Sequence, residues 1–167
     1  MRTHERGRIA ALILLTVTYV AITPMTTSAQ DNDEVEYLSD LREINLFVDD
    51  LATDAESAGL TRQLIEDSVQ AQLRERGVPL GRSRQAGDLY VRVSTHRGAT
   101  GLFAYCVRVS VQQLVTIEGN QQRAFVDTWD LDGLGTVGEG NLPQVERVVL
   151  EIVDAFIDDY FKVNEPR

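Results

Sequence analysis

The sequence predicts an α+β domain, a two-layer sandwich in which two helices cover one face of a four-stranded mixed sheet. Three observations predict it. Four segments alternate apolar and polar side chains with the period of a strand, and two segments repeat apolar residues with the spacing of a helix. The order β-α-β-β-β-α then makes the first two strands parallel through a right-handed crossover, and the last three an antiparallel meander.

The first strand and the first long helix are joined by a polar connection. Apolar residues alternate with polar ones over 44–48, which predicts a strand with one buried face. Residues 50–59 are polar, with room for one helical turn. Thr61 is a plausible N-cap for the helix that follows, and Gly77 with Pro79 ends it.

The meander is the clearest pattern in the chain. Residues 88–95 alternate, and so do 103–118, where the apolar side chains share one parity. Gly119-Asn120 turns the chain into a last strand over 123–130. Four glycines within 131–142 then predict a loop.

A second amphipathic helix follows this loop. Pro143 suits its first position, and apolar residues recur at helical spacing to about Val163. With the first helix, it supplies the cover that one apolar sheet face requires.

The first 29 residues have the layout of a secretory signal peptide. A basic start precedes the 14 uncharged residues Ile9 to Ile22, and Thr27-Ser28-Ala29 provides small residues at a cleavage site. The apolar stretch is shorter than the roughly 20 residues of a membrane span. We therefore expect cleavage near Ala29, no stable membrane insertion afterwards, and a periplasmic or secreted protein. The alternative is an uncleaved anchor.

Charge and cysteine content narrow the function classes. The net charge of −10 argues against binding to nucleic acid or anionic lipid. The single cysteine excludes an intramolecular disulfide and a cysteine-based zinc site. Residues 30–40 are acidic and contain few apolar side chains, which predicts a disordered lead-in. The folded domain is then expected over 41–164.

Several short segments resemble a group of uncharacterised exported bacterial α/β proteins. They are, in chain order, QLRERGV, DLYVRV, AYCVRVSVQQLV, DTWD and VDAFIDDYFKVN. The topology is also similar to the small envelope docking domains exemplified by the amino-terminal domain of TolB. The resemblance implies a protein partner in the cell envelope rather than a substrate. This chain lacks the lipid-anchoring cysteine of many envelope adaptors, because its one cysteine is Cys106.

An acidic cluster is the sharpest candidate for a metal site. With Thr128 as position 1 of a calcium loop, Asp130, Asp132 and Glu139 fall at ligand positions 3, 5 and 12. A strand rather than a helix precedes them, and position 1 is not aspartate. The alternative is a solvated, glycine-rich loop, and we expect no cofactor.

Two further side chains could carry chemistry. His96 ends the second strand without a nucleophile or carboxylate nominated beside it, so it is interpreted as a surface histidine. Cys106 has Arg108 on the same strand face, which could lower its pKa. The alternative is a small buried apolar residue, the common fate of a free cysteine.

Four residues are expected to share the sheet face that the helices leave open. Tyr90 and Arg92 have one parity in the second strand, and Arg108 and Gln112 have the matching parity in the third. Aromatic and arginine side chains of this kind are enriched at interfaces. The alternative is an ordinary hydrated sheet face.

Three functional hypotheses follow. The leading one is a non-catalytic, exported docking or adaptor domain for another envelope component. The second is a soluble binder of a small ligand that uses Trp129 and the loop 131–142. The third is a hydrolase with carboxylates from Asp127, Asp130 and Asp132.

Overall fold

The computed structural model describes residues 35–83 and 86–164. The predicted signal peptide, residues 1–29, and the first part of the predicted lead-in, residues 30–34, lie outside the described residues.

The fold is the predicted α+β arrangement. Its four strands are β1 (Ile44–Val48), β2 (Gly87–Arg97), β3 (Leu102–Thr116) and β4 (Arg123–Gly138). They form one sheet in the order β1-β2-β3-β4. As expected, β1 and β2 are parallel, whereas β2, β3 and β4 form an antiparallel meander.

The helical elements surround these strands in the chain. They are α1 (Thr53–Ser57), α2 (Arg62–Glu75), a 3₁₀ helix (Glu139–Gln144) and α3 (Val145–Val163). Thr61 caps α2 as predicted, because its Oγ1 accepts from the backbone N–H of Leu64 at 3.1 Å. α2 and α3 bury their apolar stripes against the apolar face of the sheet.

A polar seam holds α2 beside α3. Ser68 bonds to Glu146, Gln72 Nε2 donates to the carbonyl of Leu150 at 3.1 Å, and Arg76 pairs with Asp154. In all three contacts the residues are 78 positions apart. The two helices therefore run parallel and in step, which follows from strands β1 and β4 pointing the same way.

The glycine-rich segment 131–142 is not the predicted loop. It continues β4 to Gly138 and then forms the 3₁₀ helix. Two of its glycines mark close packing rather than a turn. A Cβ at Gly133 would lie 2.9 Å from Val148 Cγ1, and a Cβ at Gly135 would overlap the phenol of Tyr105. The prediction was wrong because glycine was interpreted by its backbone freedom alone.

The same segment shifts the start of the last helix. Pro143 lies within the 3₁₀ helix, and α3 begins at Val145 rather than at the proline. Leu142 is fully buried, so this short helix is part of the core.

The ordered domain also begins earlier than expected. Val35 and Leu38 are buried in residues 35–40, which were predicted to be disordered. Asn164 Nδ2 donates to the carbonyl of Leu38 at 2.8 Å, and so ties this segment to the end of α3. The prediction of disorder rested on the acidic composition of the segment. It overlooked that Val35 and Leu38 are three residues apart, a spacing that places both on one side of a helical turn.

We predict that Gly135→Ala lowers the free energy of unfolding by about 1 kcal/mol, because the new methyl must displace the half-buried phenol of Tyr105. Urea denaturation measures this change. Gly138→Ala is the matched control, since nothing lies within 4 Å of a Cβ there, and its effect should stay within about 0.5 kcal/mol. Equal effects at both positions would contradict the packing role of Gly135.

Candidate interaction surface

The sheet face opposite the helices, which we call the open face, carries all four residues predicted to share a surface. Tyr90 lies beside Ser110, and Arg92 lies beside Arg108 in the register of β2 and β3. Gln112 lies beside Asp88 at one end of the same face. The matching parities are why the pleat brings these side chains together.

An aromatic pair marks the β1–β2 side of the open face. Phe47 and Tyr90 are neighbours in register, and their rings stack with centroids 5.0 Å apart and planes 17° apart. The Phe47 residue is 43% exposed. Burial, followed by the charges of Asp88 and Asp49, raises the pKa of Tyr90 above the usual value for a tyrosine. The phenol therefore remains a neutral hydrogen-bond donor at physiological pH.

Two arginines occupy the middle of the open face. Arg92 and Arg108 are direct cross-strand neighbours, an arrangement that places like charges together. Each is drawn to carboxylates at its own side of the sheet. Arg92 Nε lies 2.6 Å from Asp49 Oδ2. The positive charge of Arg92 is therefore balanced from the β1 side of the sheet, and that of Arg108 from the β4 side.

Arg108 has two carboxylate partners on β4. Its Nη2 lies 2.8 Å from Asp130 Oδ2 and its Nε lies 3.0 Å from Asp132 Oδ1. The hydrogen bond to Asp130 and the negative charges of Asp132 and Asp130 raise the pKa of Arg108, which stays cationic. Asp132 is its direct partner in the β3–β4 register.

The predicted calcium ligands are not brought together. Asp130 and Asp132 bind Arg108, whereas the carboxylate of Glu139 lies 2.6 Å from Arg97 Nη2. Extended strand separates Asp132 from Gly138, so Glu139 begins roughly 20 Å further along the chain. Across 35–83 and 86–164, no group of three or more His, Cys, Asp or Glu side chains could hold a metal ion.

The carboxylates of the hydrolase hypothesis lie on an extended strand. Asp127 pairs in register with Gln112, Asp130 with Ser110 and Asp132 with Arg108. They therefore follow the open face of β4 in a line, and two of them are held by one guanidinium.

The ligand-binding hypothesis loses both features on which it rested. The loop 131–142 is strand and 3₁₀ helix, and Trp129 is 1% exposed in the core. Its ring contacts Phe156 at a centroid distance of 5.4 Å, and its Nε1 donates to Asp159 Oδ2 at 3.0 Å. Trp129 is therefore a structural residue that joins β4 to α3.

The histidine and the cysteine are separate from this network. His96 is exposed near the end of β2, as predicted. Cys106 is half-buried rather than buried, and lies on the open face between Ser94 and Leu134.

Phe47 and Leu134 are apolar residues of the open face that the sequence analysis did not identify. In β1, Phe47 occupies a position where the alternating pattern calls for a polar residue. That departure from the pattern could have identified Phe47 as an exposed apolar residue. Leu134 was assigned to the loop, although its spacing from Asp130 and Asp132 fits the parity of a continuing strand. These residues are 43% and 78% exposed.

No family model and no curated protein sequence matches this chain. Solved structures do match, including a minor lipoprotein from Acinetobacter baumannii at 13% identity, covering 73% of this chain and 91% of that one, with a TM-score of 0.32. A likeness this low carries no conclusion about function. The specific similarity to TolB-like domains stays a prediction.

In the part of the chain that the structure describes, no helix is both long and apolar enough to cross a membrane.

We predict that the chain's single tryptophan is shielded from water in the native protein. Acrylamide should quench the fluorescence of Trp129 weakly before unfolding in urea and strongly afterwards, because its ring is 1% exposed. Strong quenching of the folded protein would contradict the core position of Trp129.

Proposed function

We propose that this chain is a non-catalytic protein of the cell envelope that binds another envelope protein through the open face of its sheet. The envelope location is supported by the layout of the first 29 residues, which suits export. The docking role is supported by the open face itself.

The observation that carries the proposal is the half-exposed aromatic stack beside paired arginines. Phe47 and Tyr90 present an apolar ring surface, and Arg92 lies one row along β2. Large aromatic and arginine side chains dominate the binding energy at protein interfaces. Burial of the stack by a partner would remove an exposed aromatic surface from water.

The charges of the open face favour binding over catalysis. Arg92 and Arg108 are each held by carboxylates on a neighbouring strand or its end. The charges in these ion pairs largely neutralise each other within the protein. Their expected contribution to binding is therefore to the specificity and orientation of a partner, more than to its affinity. A catalytic acid or base needs a reacting group placed within hydrogen-bond reach, usually in a cleft.

In-cell photocrosslinking tests the docking role. A photoreactive phenylalanine analogue at position 90 replaces a residue of the aromatic stack, and the same analogue at position 151 replaces the exposed Glu151 of α3. We expect one dominant crosslinked envelope protein from position 90 and none from position 151, because only position 90 lies on the open face.

Phe47→Ala supplies the second arm of this experiment. It should abolish the crosslink from position 90 while leaving the melting temperature nearly unchanged, because Phe47 is 43% exposed. Equal crosslinking from positions 90 and 151, or a crosslink that persists in Phe47→Ala, would contradict docking through this face.

A further inference from the structure

The two edges of the sheet differ in how they are protected. β1 has five residues, and its ends are engaged: Ile44 bridges to Leu80, and Arg62 Nε donates to the carbonyl of Val48 at 2.9 Å. β4 has 16 residues, and within residues 35–83 and 86–164 only β3 pairs with it. A long unpaired edge is a template for another strand.

The register identifies which backbone groups of β4 point outward. The backbone N–H of Gly98 donates to the carbonyl of Leu102 at 2.7 Å, which starts the alternation of the β2–β3 ladder. Even-numbered residues of β3 then bond to β2, so odd-numbered ones bond to β4. In β4 the groups that point away from the sheet belong to 130, 132, 134, 136 and 138.

This outer row has little of the usual protection of an edge. Charged side chains, above all lysine, together with proline and β-bulges, discourage strand addition. The charged residues of this row are Asp130 and Asp132, and both are paired with Arg108 of the same chain. The bulge of the β3–β4 ladder lies near Val111 and Gln112, before this segment, and residues 129–138 contain neither lysine nor proline. At its centre Leu134 is 78% exposed, the most exposed large apolar side chain in the described chain.

From this geometry we infer that two copies of the chain associate by antiparallel pairing of their β4 strands about a twofold axis at Leu134. The pairing joins two four-stranded sheets into one continuous sheet. Leu134 of one copy lies opposite Leu134 of the other, and each buries the other's exposed side chain. Backbone hydrogen bonds along the outer row provide the rest of the interface.

Charge and apolar contact together select this register among the symmetric ones. An axis at Leu134 places Asp132 opposite Thr136 of the second copy and Asp130 opposite Gly138. An axis at Asp132 or at Asp130 would instead place that aspartate opposite its own copy, which is destabilising. An axis at Thr136 shortens the paired segment. An axis at Gly133 or at Gly135 would place Leu134 opposite Asp132 or Thr136, so neither buries the exposed leucine against its own copy.

On the helix side of the sheet, the β4 residues next to the axis are glycines. The residues flanking Leu134 on that face are Gly133 and Gly135, which oppose each other across the axis. Neither glycine has a side chain that could obstruct the pairing, and Val148 of the same chain packs over Gly133.

Salt should strengthen this association. Each chain carries a net charge of −10, so the copies repel at long range, while Arg108 neutralises part of the charge of Asp130 and Asp132 near the axis. Screening reduces the long-range repulsion. A basic partner segment bound to the same edge would show the opposite dependence on salt.

Sedimentation equilibrium tests the dimer on protein purified from cells that express the full chain. We expect a monomer–dimer equilibrium that is tighter at about 0.5 M than at about 0.05 M salt. Leu134→Asp should raise the dimer dissociation constant about tenfold or more. Ile117→Asp is the matched control: it adds the same charge at a residue that is 44% exposed near the hairpin tip, and should leave the constant unchanged.

Two further variants test the backbone geometry. Thr136→Pro removes a backbone N–H that points outward from the edge of the sheet. Proline is tolerated at such an edge position, so the variant should retain the melting temperature of the monomer. It should weaken the dimer, because the lost N–H is one of those that pair with the second copy. Leu134→Cys in a Cys106→Ser background should form an interchain disulfide on mild oxidation, because directly opposed residues lie about 5.5 Å apart between Cα atoms. Ile117→Cys in that background should not.

A wild-type chain that stays monomeric at every concentration and salt, or a dimer unaffected by Leu134→Asp and Thr136→Pro, would overturn the inference. These outcomes are separate from the docking proposal. Phe47 and Tyr90 lie on β1 and β2, at the other end of the strand order from β4, and they remain exposed in the dimer.

Discussion

The structure depends on the pleat of β3. This strand lies inside the sheet, and its odd-numbered residues Phe103, Val107 and Val111 are fully buried against the helices. A slip of one residue would exchange the two faces, placing Arg108 in the core and valines in water. Because that exchange is so unfavourable, β3 has one register with β2 and one with β4. Those two registers determine which side chains are neighbours on the open face.

The register of β3 also explains how an exposed sheet face holds two adjacent arginines. Arg108 reaches two carboxylates on β4, whereas Arg92 is held by Asp49 just after β1. Each arginine is paired with carboxylates on a different side, so the two positive charges can lie next to each other although no further layer of structure covers this face. Each ion pair is partly exposed, so its contribution to stability is small, and its main effect is to orient the surface.

The proposed docking surface and the β4 edge belong to different parts of one sheet. Phe47 and Tyr90 lie on β1 and β2, and Leu134 lies on β4 at the other edge. Pairing of two β4 edges would place two aromatic stacks at the far ends of one continuous sheet. A dimer of this kind would bind two partner molecules at once, which raises the effective affinity for a partner that is itself clustered.

The sequence by itself determined the fold class, the strand order along the chain and the shared face of Tyr90, Arg92, Arg108 and Gln112, because periodicity of two or 3.6 is a local property of the chain. Only the tertiary structure decided the role of residues 131–138, where Gly133 and Gly135 receive Val148 and Tyr105. It also decided that Trp129 is buried and that Glu139 pairs with Arg97. Those outcomes depend on neighbours distant in sequence, which no local pattern specifies.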